Sequence, residues 1–234
     1  MRLRGRKGIR ENLEMQTDLV ILDPSHYKGR WGEVFGNDHP IYIELGMGKG
    51  QFISGMSVKH PDVNFIGMDM YDELVRRSSE KVRTIWEEQG AKPDSVRLAL
   101  GNIESLEDFF DENEIERIYL NFSDPWPKAK HGRRRLTHPR FLDKYKHVLN
   151  DEGEIHFKTD SRDLFQFSLN AFAAKGLQMN NISLSLHDKG IAENNVMTEY
   201  ESKFVGQGMP IHRVEVMIGE KALARYHKHK MDQF

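Results

Sequence analysis

A chain of 234 residues with 30% charged residues and a formal net charge of −2 is long enough to bury one sizeable core. Its lack of cysteine excludes a disulfide frame, a thiolate zinc site and a cysteine nucleophile. No apolar run nears the ~20 residues of a membrane span. The opening Met-Arg-Leu-Arg-Gly-Arg-Lys has cations but no apolar stretch behind them. It does not read as a secretory leader, so a cytoplasmic protein that contacts no membrane is expected.

In chain order, residues 1–38 read as a basic N-terminal arm with a short capping element, and 39–234 as a single domain. Ile41–Leu45 is an apolar strand, followed by the glycine-rich turn Gly46–Gly50 and a helix over Gln51–Lys59 that stops at His60-Pro61. Asn64–Met68 predicts a second strand. A helix then runs through Tyr71–Gln89, with Leu74, Val75, Val82, Ile85 and Trp86 at inner positions. Val96–Leu100 and Glu116–Phe122 predict the third and fourth strands, Arg140–Leu149 a helix, and Glu154–Lys158 a fifth strand after Gly153. Ser161 is placed to cap a helix reaching about Lys175. Strands alternating with helices predict a mostly parallel sheet covered on both faces. After Gly176 the pattern changes. Met179–Leu186 and His212–Gly219 read as two strands joined by a long polar connection with one short helix, finishing the sheet with an antiparallel hairpin.

The first strand closes in Glu44-Leu-Gly-Met-Gly-Lys-Gly. Gly46, Gly48 and Gly50 let the backbone approach a ligand, and the helix behind them offers unpaired N–H groups. The Gly-x-Gly-x-Gly spacing departs from the Gly-x-Gly-x-x-Gly of a pyrophosphate site. Glu44 beside it would repel a phosphate but favour an ammonium or a sulfonium. S-adenosylmethionine carries both of those and no phosphate. Asp69, about twenty residues past the loop, is placed to take ribose hydroxyls. Asn102 offers an amide near the adenine position or, equally, a turn residue.

Charge is distributed in islands. Arg2, Arg4, Arg6, Lys7 and Arg10 precede the first acid. Lys128, Lys130, Arg133, Arg134, Arg135 and Arg140 follow Asp124 without an acid among them, and Lys221, Arg225, Lys228 and Lys230 form a basic C-terminal tail with His227 and His229. Such islands suit a polyanion gripped locally. The middle one follows an apolar strand and the turn Asn121-Phe-Ser-Asp-Pro-Trp-Pro127. That strand end presents a carboxylate, a ring able to stack on a base, and a row of cations.

Glu44–Phe52, Asn121–Lys128, Phe157–Asp160 and Thr198-Glu-Tyr-Glu201 together resemble the bacterial tRNA (guanine-N7)-methyltransferase family, over about residues 40–220 and in the family's order. The resemblance implies a Rossmann-like class I S-adenosylmethionine-dependent fold, and methylation of guanine N7 in the tRNA variable loop (conventional position 46). It implies cofactor contacts at Glu44, Gly46, Gly48, Asp69, Asn102 and Asp124, with Asp69 standing where many members carry glutamate. It further implies substrate contacts at Lys128, Asp160, Thr198, Glu199, Tyr200 and Glu201, and RNA contacts along Lys130, His131, Gly132, Arg133, Arg134 and Arg135. A monomer or homodimer is expected, with tRNA as partner and no metal.

Guanine N7 has an in-plane lone pair and no proton to lose, so its methylation needs no general base. The task is in-line placement at about 3–3.5 Å, with acceptors stabilising the positive charge that develops on the purine. Asp124 is the expected catalytic carboxylate, with Asp160 and Glu201 as supporting acceptors. Asp160 could instead cap the following helix, and Glu199 and Glu201 could be surface charges. Two other readings compete. Asp-Pro-Trp is similar to the acid-Pro-Pro-aromatic turn of exocyclic-amine methyltransferases, although Pro127 here follows the ring. A non-catalytic RNA-binding protein on a decayed methyltransferase fold is the other, against the intact glycine loop.

Overall fold

The computed structural model describes residues 8–192 and 195–231. The basic side chains expected at Arg2, Arg4, Arg6 and Lys7 lie outside the described residues, as do the side chains of His229 and Lys230. The chain divides into two compact units: the residues up to Asp111 together with Val196–Glu199, and Glu112–Asn195 with Tyr200 onward.

The first unit contains α1 (Ile9–Glu14), β1 (Val20–Ile21), α2 (Trp31–Phe35), β2 (Ile41–Leu45), α3 (Gln51–Lys59), β3 (Asn64–Asp69), α4 (Asp72–Glu88), β4 (Val96–Leu100) and α5 (Leu106–Phe109). Its strands run parallel in the order β1-β4-β3-β2. Ile43 pairs with Ile66 and Val20 with Leu98, and Ile43, Ile66 and Leu98 are fully buried. Parallel strands covered on both faces read as continuous apolar runs for this reason. Of the expected inner positions of α4, Val75, Val82 and Trp86 are buried, while Leu74 and Ile85 are half-buried.

The expected N-terminal arm and cap is more ordered than the sequence signalled. From Ile9 the chain forms a helix, and Val20–Ile21 adds an edge strand to β4. A bidentate pair between Arg83 and Asp18, at 2.8 and 3.0 Å, ties this segment to α4. Trp31 is fully buried, stacks on Phe110 at 5.2 Å and donates its indole N–H to the Phe109 carbonyl. A two-residue strand has no periodicity to read, which is why pattern reasoning passed over it.

The second unit contains β5 (Ile115–Asn121), α6 (Pro139–Val148), β6 (Leu149–Thr159), α7 (Arg162–Ala174), β7 (Gln178–Ser183), most of α8 (Glu199–Gly206), β8 (His212–Met217) and α9 (Glu220–Met231). The strand order is β5-β6-β8-β7. β5 and β6 are parallel, and β8 runs antiparallel to both β6 and β7. The expected antiparallel finish is therefore present. Ser161 caps α7 as expected, its Oγ accepting from Leu164 N at 3.3 Å. One face of the sheet is apolar, with Phe157 stacked on Phe165 at 6.2 Å and edge-on to Phe172.

Two expectations are corrected here. β6 begins at Leu149, before the expected Glu154, because Ile115 already pairs with Leu149 and an irregularity is absorbed before Arg117 meets Glu154. The cationic C-terminal stretch is the helix α9 and not a tail. Ala222 is buried, and Arg225 Nη2 lies 3.0 Å from Glu154, which also accepts from Arg117 at 3.0 Å and lies 2.9 Å from His156 Nε2. Its stripe is too narrow and polar to register as amphipathic. Among the described residues no helix is long and apolar enough to cross a membrane.

Candidate active site and nucleic-acid interface

In the first unit, β2 and β3 end side by side and deliver Glu44 and Asp69, both buried, to the same strand ends. Asp69 shapes the glycine loop. One carboxylate oxygen accepts from Gly48 N at 3.2 Å and the other from Tyr71 N at 3.1 Å. The β3 carbonyl of Met68 accepts from Gly46 N and Met47 N at 2.9 and 3.0 Å. Gly46 and Gly48 have φ of 81° and 58°, and a Cβ on either would meet no protein atom within 4 Å. Their small size is therefore not required by packing within the chain. The loop is open at both positions, and the buried carboxylates beside it suit a sulfonium-bearing nucleoside. These residues fit S-adenosylmethionine.

Gly50, by contrast, is fixed by packing. Its Cβ would lie 2.8 Å from Ser78 on α4, and its φ is 81°. Asn102 is exposed, and its side chain accepts from Glu104 N at 3.0 Å. The amide oxygen thus takes the turn-forming role, which leaves its N–H₂ group as the part available to a ligand.

In the second unit, Asp124 is exposed just past β5, in a turn with two left-handed non-glycine residues, Phe122 (φ 52°) and Trp126 (φ 41°). Each such residue costs about 1–3 kcal/mol and persists only where its surroundings enforce it. Phe122 N donates to the Lys158 carbonyl at 2.9 Å. Arg135 Nε donates to the Pro125 carbonyl at 3.0 Å and Nη2 to the Trp126 carbonyl at 3.1 Å. Arg134 lies over the Trp126 ring at 4.8 Å, with His131 5.8 Å from it. Ser123 Oγ is buried without a hydrogen-bond partner among the described residues. Strain and an orphaned hydroxyl beside an exposed carboxylate make this turn a candidate ligand site.

The cations after the turn divide into two kinds. Lys128, Lys130, Arg133 and Arg134 are exposed, around a tight helical turn over Ala129–Arg134 that also contains His131 and Gly132. Arg135 is half-buried, and its guanidinium is committed to the turn and to the Phe167 ring at 4.4 Å. Arg135, expected to contact RNA like its neighbours, thus differs from them in having its Nε and Nη2 engaged by backbone carbonyls.

Asp160 is half-buried at the end of β6, and since Ser161 caps α7, Asp160 is not the cap. Thr198 is buried, Glu199 half-buried and Tyr200 is 57% exposed. Glu201, expected either at the guanine edge or on the surface, is fully buried. Lys158 Nζ donates to it at 2.6 Å, Asn195 Nδ2 at 2.9 Å, and His187 Nε2 lies 2.9 Å away. Burial alone would raise its pKa, but the Lys158 charge and these hydrogen bonds outweigh that and lower it. A carboxylate so engaged positions other groups. Lys158, His187 and Asn195 escaped the sequence reading because nothing local relates them to a residue on another element.

Among the described residues no group of three or more His, Asp or Glu side chains could hold a metal ion. The chain matches the model of a family described as "Putative methyltransferase" over residues 38–214. It is 49% identical over 216 residues to a tRNA (guanine-N(7)-)-methyltransferase of Bacillus velezensis, covering 92% of this chain and 96% of that protein. Proteins of the same name from Streptococcus mutans and Bacillus subtilis are 49% and 45% identical, covering 92% of this chain and 99% and 98% of theirs. Among solved structures, an antibiotic-related methyltransferase superposes with a TM-score of 0.59 at 16% identity, over 86% of this chain and 96% of that one. A 16S rRNA methyltransferase gives 0.60 at 10% identity, over 82% and 93%. At such identities these structures speak for the fold alone.

Proposed function

The chain belongs to the bacterial tRNA (guanine-N(7)-)-methyltransferase family, and we propose that its methyl transfer goes to guanine N7 in the tRNA variable loop, with Asp124 positioning the base. It is an S-adenosylmethionine-dependent enzyme. The bound cofactor supplies an electrophilic methyl on a sulfonium. Glu44 and Asp69, buried at adjacent strand ends, would hold its charged and ribose parts, with Gly46 and Gly48 letting the backbone come close and Asn102 offering its amide N–H₂.

On the substrate side, the observation that carries the reading is the exposed Asp124 in a strained, Arg135-braced turn leading into the exposed cations Lys128, Lys130, Arg133 and Arg134. N7 loses no proton, so no base is required. The carboxylate accepts from the donor edge of guanine and stabilises the positive charge that grows on the ring. The cations hold the phosphates on either side, fixing the base in line with the methyl. Asp160 adds an acceptor at the neighbouring strand end, and Thr198, Glu199 and Tyr200 lie on the segment whose end is anchored by Glu201.

The test is methyl incorporation into unmodified tRNA transcripts that either keep the variable-loop guanine or replace it with adenine. Incorporation only into the first supports the reading. Equal incorporation into both overturns the assigned position.

A further inference from the structure

Lys158 is bonded at both of its ends. Its backbone carbonyl accepts from Phe122 N at 2.9 Å, in the left-handed residue two before Asp124. Its ammonium donates to Glu201 at 2.6 Å and to Asn195 Oδ1 at 3.3 Å. The side chains of Lys158 and Glu201 are 8% and 0% exposed. A pair this deep recovers its desolvation cost only in one well-fitted geometry, so it admits a single seating of α8 on the end of β6.

That seating has a consequence on the outer side of α8. Tyr200 precedes Glu201 and faces outward, 57% exposed. Its ring stacks on Phe204 at 6.2 Å, and Phe204 packs on Phe122 at 6.0 Å. Three rings thus run from the Asp124 turn to an open aromatic face. Exposed aromatics on a rigid backing are the usual means of stacking an unpaired base. Resting on the guanine-N7 reading above, we propose that Lys158 is a positioning residue for the nucleic-acid substrate. By gripping Glu201 with its side chain and Phe122 with its carbonyl, it aligns the Tyr200–Phe204–Phe122 stack on which a base of the tRNA rests.

The experiment is a double-mutant cycle on the full chain with unmodified tRNA transcripts, reading KM and Kd for tRNA, kcat, and Kd for S-adenosylmethionine. Tyr200→Ala is expected to raise the tRNA KM about tenfold, the scale of one lost stacking contact, and Tyr200→Phe, which restores the ring, to recover most of that loss. Lys158→Met is expected to raise it similarly while cofactor Kd stays at the parent value. The combined variant should be no worse than the worse single one, because both changes remove the same alignment. A product of the two penalties, about a hundredfold, overturns the proposal, as does a parental KM for Lys158→Met. If Lys158→Met does not fold, Asn195→Ala replaces it. That change removes another Glu201 partner at a half-exposed position, and the same non-multiplicative result with Tyr200→Ala is required. A parent that binds tRNA without forming 7-methylguanosine sinks the guanine-N7 reading, yet the coupling stays readable in tRNA Kd. Multiplicative penalties in an active parent sink the coupling alone.

Discussion

Arg135 reaches back along the chain to the turn that presents Asp124, its Nε 3.0 Å from the Pro125 carbonyl and its Nη2 3.1 Å from that of Trp126. Its neighbours Arg133 and Arg134 have exposed side chains. On the proposed reading these three consecutive arginines serve two purposes, and substitutions should separate them. Arg133→Ala with Arg134→Ala should weaken tRNA binding and flatten its salt dependence by up to ~0.9 per lost phosphate contact, the duplex value, with kcat at saturating tRNA little changed. Arg135→Ala should instead lower kcat and leave the salt slope near that of the parent. Filter-binding titrations across a salt series, with kcat measured alongside, check both. An Arg135→Ala slope as flat as that of the double variant would return Arg135 to the RNA.

The glycine loop offers a second separation. Gly48→Ala meets no neighbouring atom and costs only the left-handed backbone penalty, about 1–2 kcal/mol, yet on the proposed reading its methyl group enters the space the cofactor takes. It should lower S-adenosylmethionine affinity at least tenfold with a small fall in Tm. Gly50→Ala drives a methyl into Ser78 on α4 and should cost more stability than Gly48→Ala. Calorimetric titration paired with thermal melts distinguishes the two, and cofactor binding by Gly48→Ala at parental strength would contradict the assignment of the loop.

Acid stability should depend on Glu73, a buried carboxylate at the start of α4. Hydrogen bonds from Arg76, at 2.9 Å, and Arg77, at 2.7 Å, hold its pKa down to about 2 from the ordinary 4.5. A folded pKa below the unfolded one means that the ionised group stabilises the fold above about 4.5, and that this contribution is lost as pH falls towards 2. Glu73→Gln should lower Tm at pH 7 and flatten the loss of stability across that window. Melts of parent and variant between pH 6 and 3 check the sign. Identical pH profiles would show that the two arginines do not act on Glu73.

Much of this was legible in the sequence because it is local. Ile41 through Lys59 reads as strand, loop and helix from adjacent residues, and the cap of α7 at Ser161 follows from residue type and position. What was not legible is long-range. Glu201 meets Lys158, on another element, a pairing that no periodicity in eight residues could announce. Arg135 looked like Arg133 and Arg134 because a run of cations has no internal mark for the one that turns inward. β1 and α9 failed for want of length and of apolar contrast.

The identity of the product nucleoside decides whether guanine N7 is the methylated atom and Asp124 the residue that positions it. Unmodified tRNA methylated by the purified protein is digested to nucleosides, and the methylated product is identified by mass and by co-elution with standards. The parent is expected to form 7-methylguanosine, Asp124→Ala none, and Asp124→Asn a reduced amount, since its amide keeps an acceptor but loses the charge. N6-methyladenosine or N4-methylcytidine as the product, or 7-methylguanosine formed by Asp124→Ala at the parental rate, would contradict this assignment.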